Sequence, residues 1–293
     1  MEKASFEDVS FWTGEHYDLE QVNAGMLFIP DEIFKDKSLC EKAQVFPRVR
    51  CAVPVKNPYH VMVEFLKQFA KDSVVAAKGC ALSAKVHSSA VVEGFVDENC
   101  VVGPGCVVMA GAKILSGTVL EANVTVYPNV EIGRNCILQA GVVIGSRGFG
   151  FYEYEGERRM VPHLAGVRIG NNCSFGANTV VAAGFISPTS IGDNCHFDSF
   201  VQIAHNTTLG NNIYMASQSG IAGSAIVCDD VEFGGGAQSA GHLTIGKGAR
   251  IAAKSGVTKN IPAGRTVAGF PAVDIEKWRR SVAVLRNMSE KKK

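Results

Sequence analysis

The stretch VDENCVVGPGCVVMAGAKILSGTVLEANVTVYPNVEIGRNCILQAGVVI, residues 96 to 144, returns an aliphatic side chain at every sixth position: Val96, Val102, Val108, Ile114, Leu120, Val126, Ile132, Leu138 and Ile144. Six is neither the period of a helix nor the alternation of a strand. After an interruption the register resumes at Ile169, Phe175 and Val181. After a second it runs Ile191, Phe197, Ile203, Leu209, Met215, Ile221, Val227 and Phe233, skips at Ser239, and closes on Ile245, Ile251 and Val257. Each hexapeptide reads as a short flat strand plus a corner. Glycine follows the apolar residue at positions 103, 133, 145, 170, 176, 192, 210, 234 and 246, which is where the corner is expected. The fitting fold is a mainly β solenoid, a parallel β-helix whose triangular coil takes three hexapeptides. The 24 slots give about eight coils, stacked at roughly 4.8 Å, so that residues 18 apart lie one above the other.

The bulk composition suits a packed protein: 293 residues, 46% hydrophobic and 19% charged. With 29 Lys and Arg against 28 Asp and Glu there is no surplus of positive charge to attract nucleic acid. The N-terminal stretch MEKASFEDVSFWTGEHYDLE has acidic residues early and no continuous apolar run, and no window reaches 18 apolar residues. A soluble, unexported, cytoplasmic protein with no integral membrane segment is expected. Of the nine cysteines, Cys100, Cys106, Cys136, Cys173 and Cys195 fall four residues after a core aliphatic, where Ala112, Thr118, Thr179 and Ala249 stand in other repeats. They read as small packing residues. Six-residue spacing puts neighbouring cysteines on different faces, so neither metal nor disulfide is expected.

Three parts follow. Residues 1–80 lose the period and mix short β-like runs (Met26 to Ile29, Ala52 to Val55) with a helix from about Pro58 to Lys71, a small α/β domain. Residues 81–270 are the β-helix. Residues 271–293 carry Ile275, Trp278, Val282 and Leu285 at helical spacing with Asp274 as N-cap, a helix expected to close the open end of the coil. From Lys277 onward there are seven Lys or Arg against one Glu, which suits either a solvated helix face or a docking patch for an acidic carrier. The first interruption, Gly145 to Arg168, concentrates Phe149, Phe151, Tyr152 and Tyr154, and fits equally a functional loop or a self-packed one.

Among the histidines, His205 falls two residues after Ile203 in DSFVQIAHN, and His242 three after the Ser239 slot in SAGHLTIG. They are 37 residues apart, two coils plus one residue, which places both along one edge of the prism. A lone surface His is ordinarily just solvated; two on one edge, with Asp198 seven residues before His205, suggest a proton-transfer site.

The segments VKNPY (55–59), ANVTVY (122–127), GFGF (148–151), FGANT (175–179), QIAHN (202–206), IAGS (221–224) and GH (241–242) stand in an order and spacing that resemble the UDP-3-O-(3-hydroxyacyl)glucosamine N-acyltransferase family of lipid A biosynthesis, from about Val55 to Gly248. The resemblance implies a left-handed β-helix and transfer of a 3-hydroxyacyl group from acyl carrier protein to the amino group of a UDP-3-O-acylglucosamine. It implies His205 as general base, Asp198 as the acid that orients it and Gly223 as a backbone N–H donor to the oxyanion. It assigns uracil binding to Asn57 and Tyr59 in a uridine-binding N-terminal domain. Phe149, Gly150 and Phe151 would lie near the glucosamine, with Gln202 and His242 as further substrate contacts. A homotrimer with sites in the clefts between prisms is implied, with no cofactor and no metal.

This chain has Ala182-Ala183-Gly184 where such relatives carry Asp-Arg-Gly, a recast segment from Phe185 to Ser190, and Ser199 where they carry Asn. The tripeptide is expected to border the cleft, so a paralogue acting on another UDP-amino sugar stays open. So does a noncatalytic solenoid that binds a nucleotide sugar. A zinc-dependent carbonic anhydrase of hexapeptide fold would need a third His a few residues beyond His242, and position 247 is Lys.

Overall fold

The computed structural model describes residues 7–12, 23–32, 49–69, 78–269 and 272–290. They form two compact units: the described residues of Met1–Val75 together with Gly150–Pro162, and those of Ala76–Phe149 together with His163–Lys293.

In the first unit β1 (Val9–Phe11), β2 (Ala24–Pro30) and β3 (Val49–Val55) form a parallel sheet in that order. Leu27 and Ile29 alternate into the core from the middle strand and are fully buried, as is Val63 of α1 (Pro58–Phe69). Phe11 stacks on Phe28 at 5.1 Å. The helix starts where it does because Pro58 has no N–H to lose at the first position and the Oδ1 of Asn57 accepts the His60 N–H at 2.9 Å. Residues 70 and 71, at the end of the expected helix, lie outside the described residues. The first interruption supplies the rest of the unit. Phe151–Tyr154 and Glu157–Met160 pair antiparallel as a hairpin, turned at Glu155 and Gly156, both with positive φ, as a two-residue hairpin turn needs.

The second unit is a left-handed parallel β-helix. Its three faces carry nine, ten and nine parallel strands among the described residues. Ile114 pairs with Ile132, 18 residues on. Across the first interruption Ile132 pairs with Ile169, and across the second Ile169 pairs with Ile191, so each insertion leaves the chain on the same face. The column is longer than the eight coils counted from Val96. Cys80, Val86 and Val92 form an earlier coil and Val267 adds to the far end. Cys80 pairs with Val96 and Ile251 with Val267, 16 residues on in both cases, and these shortened coils break the six-step period that marks the rest.

The glycines after the core residue stand where the corner leaves no room for a side chain, as expected: a Cβ on Gly133 would collide with the Gly170 carbonyl oxygen of the next coil. The left-handed residue of the corner comes two positions later, at Asn99, Asn123, Asn129, Asn135, Asn206 and their equivalents, with φ near +57° (Asn99). Asn recurs there because it tolerates that conformation better than most residues. One sequence expectation is corrected, that of the cysteines. Cys100 and Cys106 precede strands of different faces, but Cys136, Cys173 and Cys195 precede paired strands and form one column. Their thiols donate to the carbonyls of Gly170, Gly192 and Gly210 at 3.3, 3.2 and 3.3 Å, so they do act as buried packing groups.

At the end of the chain α2 (Ile275–Glu290) is capped by Asp274, whose Oδ1 accepts the N–H of Glu276 at 3.0 Å. It does not close the coil as expected: Ile275, Trp278 and Leu285 are all more than half exposed. No helix among the described residues is long and apolar enough to cross a membrane.

Candidate active site on one edge of the column

Strand Gln202–Ile203 pairs with Gly220–Ile221, which pairs with Gln238–Ser239. The corners that follow stack as well, because Ser224 donates its N–H to the His205 carbonyl and His242 its N–H to the Gly223 carbonyl, both at 3.0 Å. His205, Gly223 and His242 therefore share one edge. His242 is exposed and holds the left-handed corner position itself, at φ 59°. Gln202 is exposed on the strand that leads into the edge.

The half-buried imidazole of His205 is confined on both sides. A Cβ on Gly223 would stand 2.8 Å from both its Cε1 and Nε2, so the ring lies flat over that glycine. Across the ring is the backbone of Gly148, where a Cβ would meet the His205 Cβ at 2.7 Å and the His163 Nε2 at 2.8 Å. His163 itself meets the His205 ring edge-on, with centroids 4.7 Å apart. Sequence reasoning missed His163, because it lies in the first interruption and outside the six-step register. The Nδ1 of His205 lies 3.1 Å from the Asn206 Oδ1.

The other expected residues fall in several places. Asp198 is exposed and its Oδ1 accepts the Ser199 N–H at 2.7 Å. It stands at the corner before that of His205, with strand Gln202–Ile203 between them. Asp198 lines a different feature, a groove of about 780 Å³ on the face that carries His196, Tyr214, Glu232 and Arg250. Phe149 is 88% exposed and belongs to the column, whereas Gly150 and Phe151 belong to the first unit. Ala182 and Ala183, expected at a cleft, are buried instead, at 4% and 3% exposure. Ala183 donates its N–H to the Ser146 carbonyl at 2.7 Å, which seals the tripeptide under the base of the first interruption.

In the first unit the Oδ1 of Asn57 is engaged as the helix cap. Tyr59 packs against Tyr152 of the hairpin at 5.4 Å. Burial, and then the neighbouring Tyr152 phenol, push the Tyr59 phenol above its ordinary range, so it stays a hydrogen-bond donor. His60 stacks on Tyr154 at 3.7 Å and its Nδ1 lies 2.9 Å from the Tyr152 hydroxyl, while Arg159 lies over the Tyr154 ring at 4.9 Å. Tyr152 and Tyr154 of the first interruption are thus packed on α1 in a polar and aromatic cluster. No group of His, Cys, Asp and Glu that could hold a metal ion is found among the described residues.

Comparison with known proteins places the chain. Residues 111–146 match the model of the bacterial transferase hexapeptide (six repeats), and residues 166–198 that of the hexapeptide repeat of succinyl-transferase. The UDP-3-O-acylglucosamine N-acyltransferase of Caulobacter sp. (strain K31) is 42% identical over 154 residues, which cover 53% of this chain and 45% of that protein. The probable UDP-3-O-acylglucosamine N-acyltransferase 2, mitochondrial, of Arabidopsis thaliana is 41% identical over 161 residues, covering 55% and 53%. The matched region spans about half the length of these curated relatives. In solved structures the fold is shared by the UDP-N-acetylglucosamine acyltransferase of Francisella novicida, with a TM-score of 0.54 at 24% identity over 69% of this chain and 73% of that one. The chain is a hexapeptide-repeat protein of left-handed β-helix fold, and in sequence it is similar to the UDP-3-O-acylglucosamine N-acyltransferases.

Proposed function

We propose that this protein is an N-acyltransferase that moves a 3-hydroxyacyl group from acyl carrier protein to the 2-amino group of a UDP-3-O-acylglucosamine; its curated relatives are named as UDP-3-O-acylglucosamine N-acyltransferases. The observation that carries this reading is the seat of His205: an imidazole held flat over Gly223 on an edge it shares with His242. The amine nitrogen attacks the thioester carbonyl as the His205 Nε2 takes its proton. The C–N bond forms, the tetrahedral oxyanion collapses with loss of the C–S bond, and the proton passes to the departing thiolate. A positioned His contributes about 10²- to 10⁴-fold to such a step. Gly223, one coil on, offers its N–H to the oxyanion.

Asp198 serves as the acidic partner that steadies the imidazolium form of the base, in a homotrimer with its sites in the clefts between prisms. Asn57 and Tyr59 take the uracil in the domain of residues 1–80; Phe149, Gly150 and Phe151 flank the glucosamine; Gln202 and His242 contact substrate. Ala182 and Ala183, buried and uncharged, support a second reading: the same chemistry on a related UDP-amino sugar.

The test is mass spectrometry of products from UDP-3-O-acylglucosamine and other UDP-amino sugars with a panel of acyl-carrier thioesters. N-acylated product is expected, and His205→Ala is expected to lower turnover at least 100-fold with the melting temperature unchanged. Full turnover in that variant would remove His205 as the base.

A further inference from the structure

Resting on that reading of His205 as the base, we infer that Asn206 is its positioning residue: the side-chain oxygen of Asn206 fixes the imidazole in the tautomer protonated at Nδ1, leaving Nε2 as the nitrogen with a lone pair to accept a proton.

The oxygen and nitrogen of the Asn206 amide are told apart by their partners. Its Oδ1 accepts the backbone N–H of Phe185 at 3.1 Å, and a peptide N–H can only donate. Its Nδ2 donates to the Ser187 carbonyl at 3.0 Å, and a carbonyl can only accept. The atom facing the His205 Nδ1 at 3.1 Å is therefore an acceptor. In the neutral ring this places the proton on Nδ1 and makes Nε2 the basic nitrogen. The ring face beside Nε2 and Cε1 rests over Gly223, where no Cβ displaces it.

Asn206 also occupies a left-handed corner, at φ 58°, and that alone would explain an asparagine. Its side chain does not follow the column, however; like that of Asn129, which donates to the Leu164 carbonyl, it turns into an interruption. Asn212 bonds to Asp230, the corner residue of the next coil, at 2.9 Å. Asn206 instead turns into the second interruption, where it holds both Phe185 and Ser187, while its own N–H donates to the Thr189 Oγ1 at 2.9 Å. The four extra residues of that interruption thus serve to lock the amide that faces the base. Among the contacts of the His205 ring the titratable neighbour is His163, with ring centroids 4.7 Å apart.

Two variants separate this role from the corner role. Asn206→Gly keeps the positive φ and removes only the side chain. Asn206→Asp keeps an acceptor at the same place. Long-range ¹H–¹⁵N spectra of histidine-labelled protein, with His205→Ala to assign the signal, read the tautomer directly. Wild type and Asn206→Asp are expected to show Nδ1–H at His205, and Asn206→Gly to lose it. In kinetics Asn206→Gly should lose kcat by roughly 10- to 100-fold at an unchanged KM. Asn206→Asp should recover part of kcat and move the acid limb of its pH profile upward by on the order of one unit, because a carboxylate favours the imidazolium. An unaltered Nδ1–H signal in folded Asn206→Gly would overturn the assignment and give the task to another acceptor such as Asp198. Loss of that signal in a protein that transfers no acyl group would sink the proposed reaction and leave the tautomer assignment standing.

Discussion

The imidazole of His205 rests on the bare α-carbon of Gly223, one coil along the column, with its Cε1 and Nε2 each 2.8 Å from where a Cβ would begin. The contact exists because the coil repeats every 18 residues and because position 223 has no side chain. Both conditions are visible in sequence, but their product, a ring seated on a backbone, is visible only in three dimensions.

Gly223→Ala follows directly. Gly223 is not among the glycines with left-handed backbone, so alanine is compatible with its φ and the fold should persist. Its methyl would displace the ring by about 1 Å, and misplacement of that size costs roughly 100-fold in rate. Steady-state kinetics beside a thermal melt decide the matter; wild-type turnover would show that the ring need not lie there.

Phe200 holds a left-handed corner at φ 61° with its ring 57% exposed, a conformation that is unfavourable for a bulky residue by about 1–2 kcal/mol. Phe200→Asn should raise stability by about 1 kcal/mol in chemical denaturation. If the variant is no more stable, the phenyl ring makes a compensating contact, and lost activity would locate it near substrate.

Ser239 stands in a core slot between Ile221 and Val257, is 6% exposed, and its Oγ has no hydrogen-bond partner. Ser239→Val fills the slot and removes an unpaired buried hydroxyl. A gain of about 1–2 kcal/mol is expected from denaturant midpoints. A loss would mean that the slot is too tight for two methyl groups.

The buried cysteines should be kinetically silent. Cys51 and Cys80 are exposed, whereas Cys100, Cys106, Cys136, Cys173 and Cys195 are buried. The contact of the Cys136 thiol with Cys173, and then burial, raise its pKa above the ordinary thiol range near 9. A thiol-specific reagent should therefore label Cys51 and Cys80 first and reach the column only on unfolding. The sign of the pH effect follows. The unfolded thiol loses its proton above about pH 9 while the folded one keeps it, so the Cys136 contribution to stability is present below that pH and declines as pH rises. Rapid labelling of Cys136 in folded protein would contradict the burial.

The solenoid was plain in the six-step recurrence of Val96 to Ile144, because each apolar side chain must point to one interior and the chain has one way to return it there. The two shortened coils were not, since a corner two residues shorter at Gly94 shifts the period without changing the packing. The edge shared by His205 and His242 followed from counting by 18. His163 did not, because it arrives from an insertion whose path no period constrains. The hairpin Phe151–Tyr154 and Glu157–Met160 was ambiguous in sequence for the same reason, and its place with α1 came from packing.

By itself, then, the sequence determined the column, its core and the edge on which the histidines lie, since periodic burial of apolar side chains dictates all three. Tertiary structure alone decided which groups touch the His205 ring: Gly223 beneath, His163 and Gly148 beyond, Asn206 at Nδ1. Those contacts depend on where two aperiodic insertions settle, and that is fixed by hydrogen bonds between residues distant in the chain rather than by any local repeat.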